Sequence, residues 1–311
     1  MKVLLGCVIA LTTTASAQST QYGPLALRMP ASARSLAMAD IGITSRDDDV
    51  IFYNPAQLTI ARGTSMSFER MSPDVRGATM STVLRLGSGG LGLGVNYLEY
   101  RAAYAVYPIS RDDITPPSTG QPAGSAMLAS LGFSQVVKKY RIGASANYAA
   151  DEVGFNRFRN IVGDIGLARD FGRYTAALSL QHMGAAMVQD AVVGPSTSSA
   201  PNVPASIRPP MKATVGGGWS GSAGPLDITA TVAASALREG NVSSAVGAEA
   251  SWSWLSGYAI SARGGYRYPR SVADARYTGG VGFVADRVSI DLAAEVMNND
   301  RVGVRGGFRV R

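Results

Sequence analysis

The sequence predicts an all-β fold, a transmembrane antiparallel β-barrel of about fourteen strands, on three observations. Segments of roughly ten residues alternate polar with apolar side chains from Thr64 to the end of the chain. The links between them sort by length. Only 16% of the residues are charged against 46% hydrophobic, and 36 are glycine. Successive side chains of a strand point to opposite faces, so this alternation makes one wet face and one greasy one. A tilted strand of about ten residues is also what the hydrocarbon core of a bilayer requires.

The chain begins with Lys2, an apolar run VLLGCVIAL (3–11) and the stretch TTTASA, in which Ala15, Ser16 and Ala17 have the small-x-small pattern of a signal-peptidase site. Residues 1–17 therefore read as a secretory signal peptide. The run is too short to span a bilayer as a helix, and no later stretch reaches the roughly 18 apolar residues that a helical span needs. LLGC (4–7) imitates a lipoprotein cleavage site, but six residues before Cys7 leave no room for a charged segment and an apolar core. Cys7 is the only cysteine, so the mature chain would carry no disulfide and no thiolate ligand.

Residues 64–311 carry the barrel pattern, with segments starting near Thr64, Ala78, Leu91, Ala126, Tyr140, Ile161, Tyr174, Met211, Leu226, Ser244, Tyr258, Tyr277, Val288 and Arg301. In LDITATVAASA (226–236), Leu226, Ile228, Ala230 and Val232 share one face, while Asp227, Thr229 and Thr231 share the other. The closing stretch RVGVRGGFRVR (301–311) sets arginine or glycine against valine and phenylalanine in the same way. An arginine at the lipid midplane costs about 2–4 kcal/mol, so the charged parity must face the lumen. That parity groups Asp227, Glu249, Arg263, Arg267, Asp291, Glu295, Arg305 and Arg309 inside, with mixed signs that suggest a salt-bridged, partly filled interior.

The links after even-numbered segments are short, as in GSGG (87–90), FGR (171–173) and DR (286–287). Both long links, 102–125 and 184–210, follow odd-numbered segments. Short turns on one side and long loops on the other are the pattern of a bacterial membrane barrel. Trp219, Trp252, Trp254, Tyr258, Tyr266, Tyr268 and Tyr277 fall toward segment ends, where interfacial girdles sit. A glycine-rich secreted solenoid or sandwich is the competing architecture, but it has no reason to sort its links.

Residues 18–63 do not alternate. Asn54 before Pro55 suits a helix start, because the amide can cap free N–H groups and proline fits the first helical position. Asp47, Asp48 and Asp49 could open a short helix through Ile51 and Phe52. Ala33-Arg34 followed by Met38, the carboxylate run at Asp47 to Asp49, and Tyr53-Asn54-Pro55-Ala56 followed by Leu58 form an ordered set. Over about thirty residues this set resembles the N-terminal region of FadL-like outer-membrane barrels, in particular the PorV/PorQ group. The resemblance implies that residues 18–63 form a short hatch inside the lumen, with Asn54, Pro55 and Ala56 in its tight turn and Arg34 and the three aspartates in the same motif.

Enzymatic, metal and nucleic-acid chemistry find little purchase. The sole histidine, His182, shares parity with Tyr174, Ala176, Leu178 and Leu180, which predicts an outward, interfacial position rather than a catalytic base. One histidine and no mature thiol argue against a transition-metal site, and the aspartate run lacks the spacing of a calcium loop. No catalytic residue, metal or cofactor is therefore expected. GSGGLG (87–92) precedes a strand and not a helix, so it reads as a hairpin turn. The net charge of +7, about +6 without Lys2, fits rim arginines meeting anionic lipid and not a nucleic-acid surface. Outer-membrane lipid is the expected surrounding. The resemblance implies protein secretion or surface attachment of secreted proteins, with secretion-machinery components as partners. FadL-like passage of hydrophobic small molecules is the alternative, and a purely structural barrel a third.

Overall fold

The computed structural model describes residues 24–72, 75–101, 123–153, 156–190, 206–238, 242–268, 276–296 and 302–311. The signal-peptide expectation and the long link at 102–122 lie outside them. Seven strands come first: β1 (Gly63–Ser72), β2 (Val75–Leu86), β3 (Gly89–Arg101), β4 (Ala123–Val137), β5 (Tyr140–Val153), β6 (Asn156–Phe171) and β7 (Tyr174–Met183). A small pair, β8 (Met187–Val188) and β9 (Ser206–Ile207), stands apart. Then follow β10 (Lys212–Ala223), β11 (Leu226–Leu237), β12 (Val242–Leu255), β13 (Tyr258–Tyr268), β14 (Arg276–Ala285), β15 (Val288–Val296) and β16 (Val302–Val310). Without β8 and β9 the strands close into one antiparallel barrel of fourteen. β16 returns to β1 with Thr64 opposite Val310 and Arg70 opposite Val304, so no edge is left open.

Alternation found every barrel strand, and the largest misplacement is informative. β6 starts at Asn156, not near Ile161. Its first turn-proximal stretch inverts the usual polarity: Phe158 is fully buried inside, while Arg157 and Arg159 point out and pair with Glu152 and Asp190. Past the end of the lipid-facing stretch, which begins with Ile161 (65% exposed), arginines can face outward at no cost in hydrocarbon.

One end of the barrel carries two-residue turns at 87–88, 138–139, 172–173, 224–225, 256–257 and 286–287. Five of them open on a residue in the left-handed region, among them Lys138 (φ 58°) and Asp286 (φ 54°), the geometry whose twist matches antiparallel strands. The exterior is a continuous apolar belt in which Leu84, Leu131, Ile165, Val246 and Leu292 are about half exposed. A belt of this extent is stable only against lipid. Trp252, Trp254, Tyr258 and Phe283 gather near the short-turn end, with Trp254 stacked on Phe283 at 6.3 Å, and Tyr266 meets Tyr277 at 5.0 Å near the other end.

The described N-terminal chain runs inside the cylinder. It consists of a 3-10 turn at Leu25–Arg28, helix α1 (Ala33–Ala37), and 3-10 turns at Asp48–Phe52 and Pro55–Thr59. Leu27, Met29, Leu98, Tyr100, Phe158, Met187 and Ile207 form one buried cluster, and Val50, Ile51, Leu58 and Val83 another. The barrel therefore has a core like that of a globular domain, made between its wall, the inner N-terminal chain and the small β8–β9 pair.

The outward position expected for His182 is corrected by a bulge. Gly163 pairs with Met183 and Ile165 with Leu180, so Gln181 and His182 together face the single residue Asp164. The extra residue resets the parity of the strand. His182 takes φ 59° and turns inward, 5% exposed, with its backbone N–H donating to Asp164 at 2.6 Å.

Candidate functional site

Three local devices shape the inner chain. Ser32 and Ser35 form a reciprocal cap at the start of α1. Asn54 caps the Pro55–Thr59 turn by accepting from the Ala56 N–H at 3.1 Å, with Pro55 at the first helical position. Its amide also reaches the Ile43 carbonyl at 3.3 Å. Ala39 and Asp40 occupy the left-handed region in succession (φ 57° and 59°), which turns the chain sharply after α1.

The wall meets this chain with glycines. A side chain at Gly143 would overlap the Pro55 carbonyl carbon and the Ala56 nitrogen, one at Gly90 the Leu58 carbonyl, and one at Gly166 the Asn54 amide oxygen. These three wall glycines thus serve close approach of two backbones.

Charge ties the chain to the wall. Arg34 holds Glu249 through two bonds of 2.9 Å and Asp47 through one of 2.8 Å. Arg263 bridges Glu249 to Asp291, the latter at 2.6 Å. Arg309 meets Asp48 at 2.9 Å, Asp47 at 3.1 Å and Asp291 at 4.0 Å, and Arg311 reaches Asp47 at 2.9 Å. Asp48 also accepts from Ser65 and Ser81. Arg305 pairs with Glu69 deep between β16 and β1, and Arg267 pairs with Asp40 at 3.3 Å. Glu295 is buried in β15, and Asp227 sits exposed near the short turns, taking a bond from Ser222 at 2.7 Å.

Asp47 and Asp49 are shifted in opposite directions. Burial would raise the Asp47 carboxyl, but Arg309, Arg34 and Arg311 hold it well below the usual range. Burial and then the charge of Asp47 outweigh Arg309 at Asp49 and push it up to about 6. Above its ordinary pKa near 3.8 the folded state keeps a proton that the unfolded chain gives up, so stability falls as pH rises toward about 6 and then levels off. Asp49→Asn is expected to strengthen the inner segment by about 3 kcal/mol at pH 7.5 and to change nothing at pH 3. Hydrogen exchange of residues 32–58 at the two pH values reads this directly; equal protection of both proteins at pH 7.5 would contradict it.

Two of the cavities among the described residues lie between inner chain and wall. One, of about 190 Å³, lies among Leu27, Asp40, Ile43, Ser179, His182 and Lys212, against β7, β10, β11 and β12. The other, of about 440 Å³, lies closer to the short turns among Met38, Thr44, Arg46, Ile60, Gly218 and Arg311. Ile41 lines both. The bulge with Gln181 and His182 forms part of the first cavity's wall. Ile41, Ser179, His182 and Lys212 were not singled out from sequence as site residues. The only available signal was Lys212 itself, a lysine on the inward parity at the start of a strand.

A closed fourteen-stranded cylinder with a lipid-facing exterior, its own N-terminal chain in the lumen and cavities left between the two, has the fold of the FadL-like outer-membrane β-barrels. Solved structures of that fold align over nearly the whole chain. The monoaromatic hydrocarbon channel CymD matches with a TM-score of 0.58 at 12% identity, covering 95% of this chain and 98% of that one. The toluene transporter TodX of P. putida gives 0.52 at 12%, over 94% and 97%. A FadL homologue of Pseudomonas aeruginosa gives 0.53 at 9%, over 92% and 98%. At such identities the likeness concerns the fold. No protein-family model matches the sequence, and no curated protein does.

Proposed function

We propose that this barrel passes small hydrophobic molecules across or into the outer membrane, with residues 24–62 acting as the hatch. The observation that carries the reading is the pair of cavities stacked between hatch and wall and meeting at Ile41. A path from one to the other needs only the Ala39–Thr44 stretch to shift, and that stretch contains the two left-handed residues Ala39 and Asp40. The bulge of β7 beside the first cavity interrupts the wall's hydrogen-bond ladder, a feature suited to lateral exchange with lipid. Resemblance in fold to channels named for toluene and monoaromatic hydrocarbons points the same way.

Protein secretion or surface attachment, the reading drawn from the PorV/PorQ resemblance, rests on the Ala31–Leu58 motif. Its natural contact surfaces, the loops at 102–122 and 191–205, lie outside the described residues, and among the described residues nothing favours it. Uptake of radiolabelled toluene by proteoliposomes tests the transport reading. Uptake is expected to exceed that of empty liposomes, to rise several-fold with Ile41→Gly, which joins the cavities, and to fall with Ile41→Trp. Equal uptake with and without the protein would defeat it.

A further inference from the structure

We infer that the cavity bounded by residues 39–43 and strands β7, β10, β11 and β12 is a binding site for a small organic anion of single-ring size, of which an aromatic monocarboxylate is the type. This rests on the transport reading and narrows it, because the solved channels of the same fold are described by uncharged hydrocarbons.

Size sets the first limit. A dry cavity of about 150 Å³ accommodates benzene. The present one, at about 190 Å³, has room for one ring and a carboxylate. Its apolar side comes from Leu27, Ile41, Ile43 and Ala233.

Polarity sets the second. Among the described residues, the Lys212 ammonium makes no hydrogen bond or close ion pair, although Asp40 and Asp164 lie near enough to attract it. The nearby carboxylates are already engaged: Asp40 by Arg267 and the Tyr53 hydroxyl, Asp164 by the His182 N–H, Ser145 and Asn147. Arg28 and Arg267 also line the cavity, so cations outnumber its single carboxylate, Asp40. The Ser179 hydroxyl, 1% exposed on the neighbouring strand, lines the same space and has no partner among the described residues. Its residue is directly opposite Thr214, two positions along β10 from Lys212. His182 is less available, since its Nδ1 lies 3.2 Å from the Pro210 carbonyl. The buried Ser179 hydroxyl is costly without a partner, and the Lys212 ammonium beside it is held by no close ion pair. A carboxylate answers both with charge-assisted bonds, whereas a neutral hydrocarbon answers neither.

The test is isothermal titration of the purified full chain in dodecyl maltoside with sodium benzoate, benzyl alcohol and toluene. Benzoate is expected to bind at least about ten-fold more tightly than its neutral counterpart benzyl alcohol. Lys212→Met should remove that preference and weaken benzoate about ten-fold while leaving toluene within about two-fold. Lys212→Arg should keep most of the preference, and Ser179→Ala should lose part of it. The heat-shifted gel mobility of each variant shows whether its barrel is folded, and the wild-type comparison of benzoate with benzyl alcohol needs no variant. If toluene binds but benzoate is no tighter than benzyl alcohol, or if the preference survives in folded Lys212→Met, the anion assignment falls and the hydrophobe reading stands. If no single-ring compound binds, both fall.

Discussion

Gly143→Val is expected to drive the inner segment out of the lumen while leaving the barrel closed. Gly143 belongs to the inward parity of β5, and any side chain there runs into the backbone of Pro55 and Ala56, which has no rotamer by which to give way. Overpacking against mobile side chains costs about 1–3 kcal/mol, and against backbone that cannot change rotamer it costs more. Relief comes from lifting the Pro55–Thr59 turn, which uncovers Val50, Ile51 and Leu58, each worth about 1.5–3 kcal/mol when buried. The expected result is a several-fold rise in conductance or small-solute leakage in planar bilayers, with new protease cleavage within residues 45–60. Gly264→Val is the control, because nothing lies within 4 Å of the position a side chain would take. Unchanged leakage in folded Gly143→Val would remove the plug assignment.

The second large effect is expected at Arg309. This side chain is 3% exposed and touches Asp47, Asp48 and Asp291, which belong to the inner chain and to β15. Arg309→Met leaves a buried cluster of carboxylates without its central cation, a change that costs about 3–5 kcal/mol. Urea unfolding in lipid vesicles at pH 7.5 should show a loss of that size. Combining the change with Asp48→Asn should recover about 1–3 kcal/mol, since the two residues are in direct contact. Strictly additive losses would mean that Arg309 acts through packing of its stem and not through its charge.

The two results would also explain what alternation can and cannot disclose. Strand positions are legible because a bilayer penalises each misplaced charge, and the penalty writes a period of two into the chain from Tyr140 to Tyr148 or from Val288 to Val296. The same rule misleads wherever lipid is not the neighbour. It lost the first residues of β6, where Phe158 turns in and Arg157 turns out. It also misplaced His182, because a single inserted residue inverts every later parity without leaving a mark in composition.

Parity can collect Glu249, Arg263, Asp291 and Arg309 on one side of the wall, but it cannot say that Arg34 and Asp47 complete the chain of contacts between them. Those pairings join positions far apart in sequence and depend on how the inner segment lies. The cavities are less legible still. Lys212 and Ser179 are unremarkable in their strands, and only the path of Ala39–Thr44 across the wall leaves them facing a space and not a partner. Even the glycine excess, visible at once as a number, gains its meaning only when Pro55 is seen against Gly143.

The seam between β1 and β16 has a consequence for biogenesis. Asp47 and Asp48 of the inner chain, which precede every barrel strand, are gripped by Arg309 of the closing strand and by Arg311 just after it, beside that seam. A cylinder sealed while vacant would have to admit, through its mouth, a folded strip whose backbone must then nestle against glycines on the far wall. Zipping the terminal hairpin around a strip already laid in place avoids that passage. Insertion and plugging would then be one cooperative event, so a chain interrupted before its final strand should yield a membrane-associated sheet with its N-terminal residues loose.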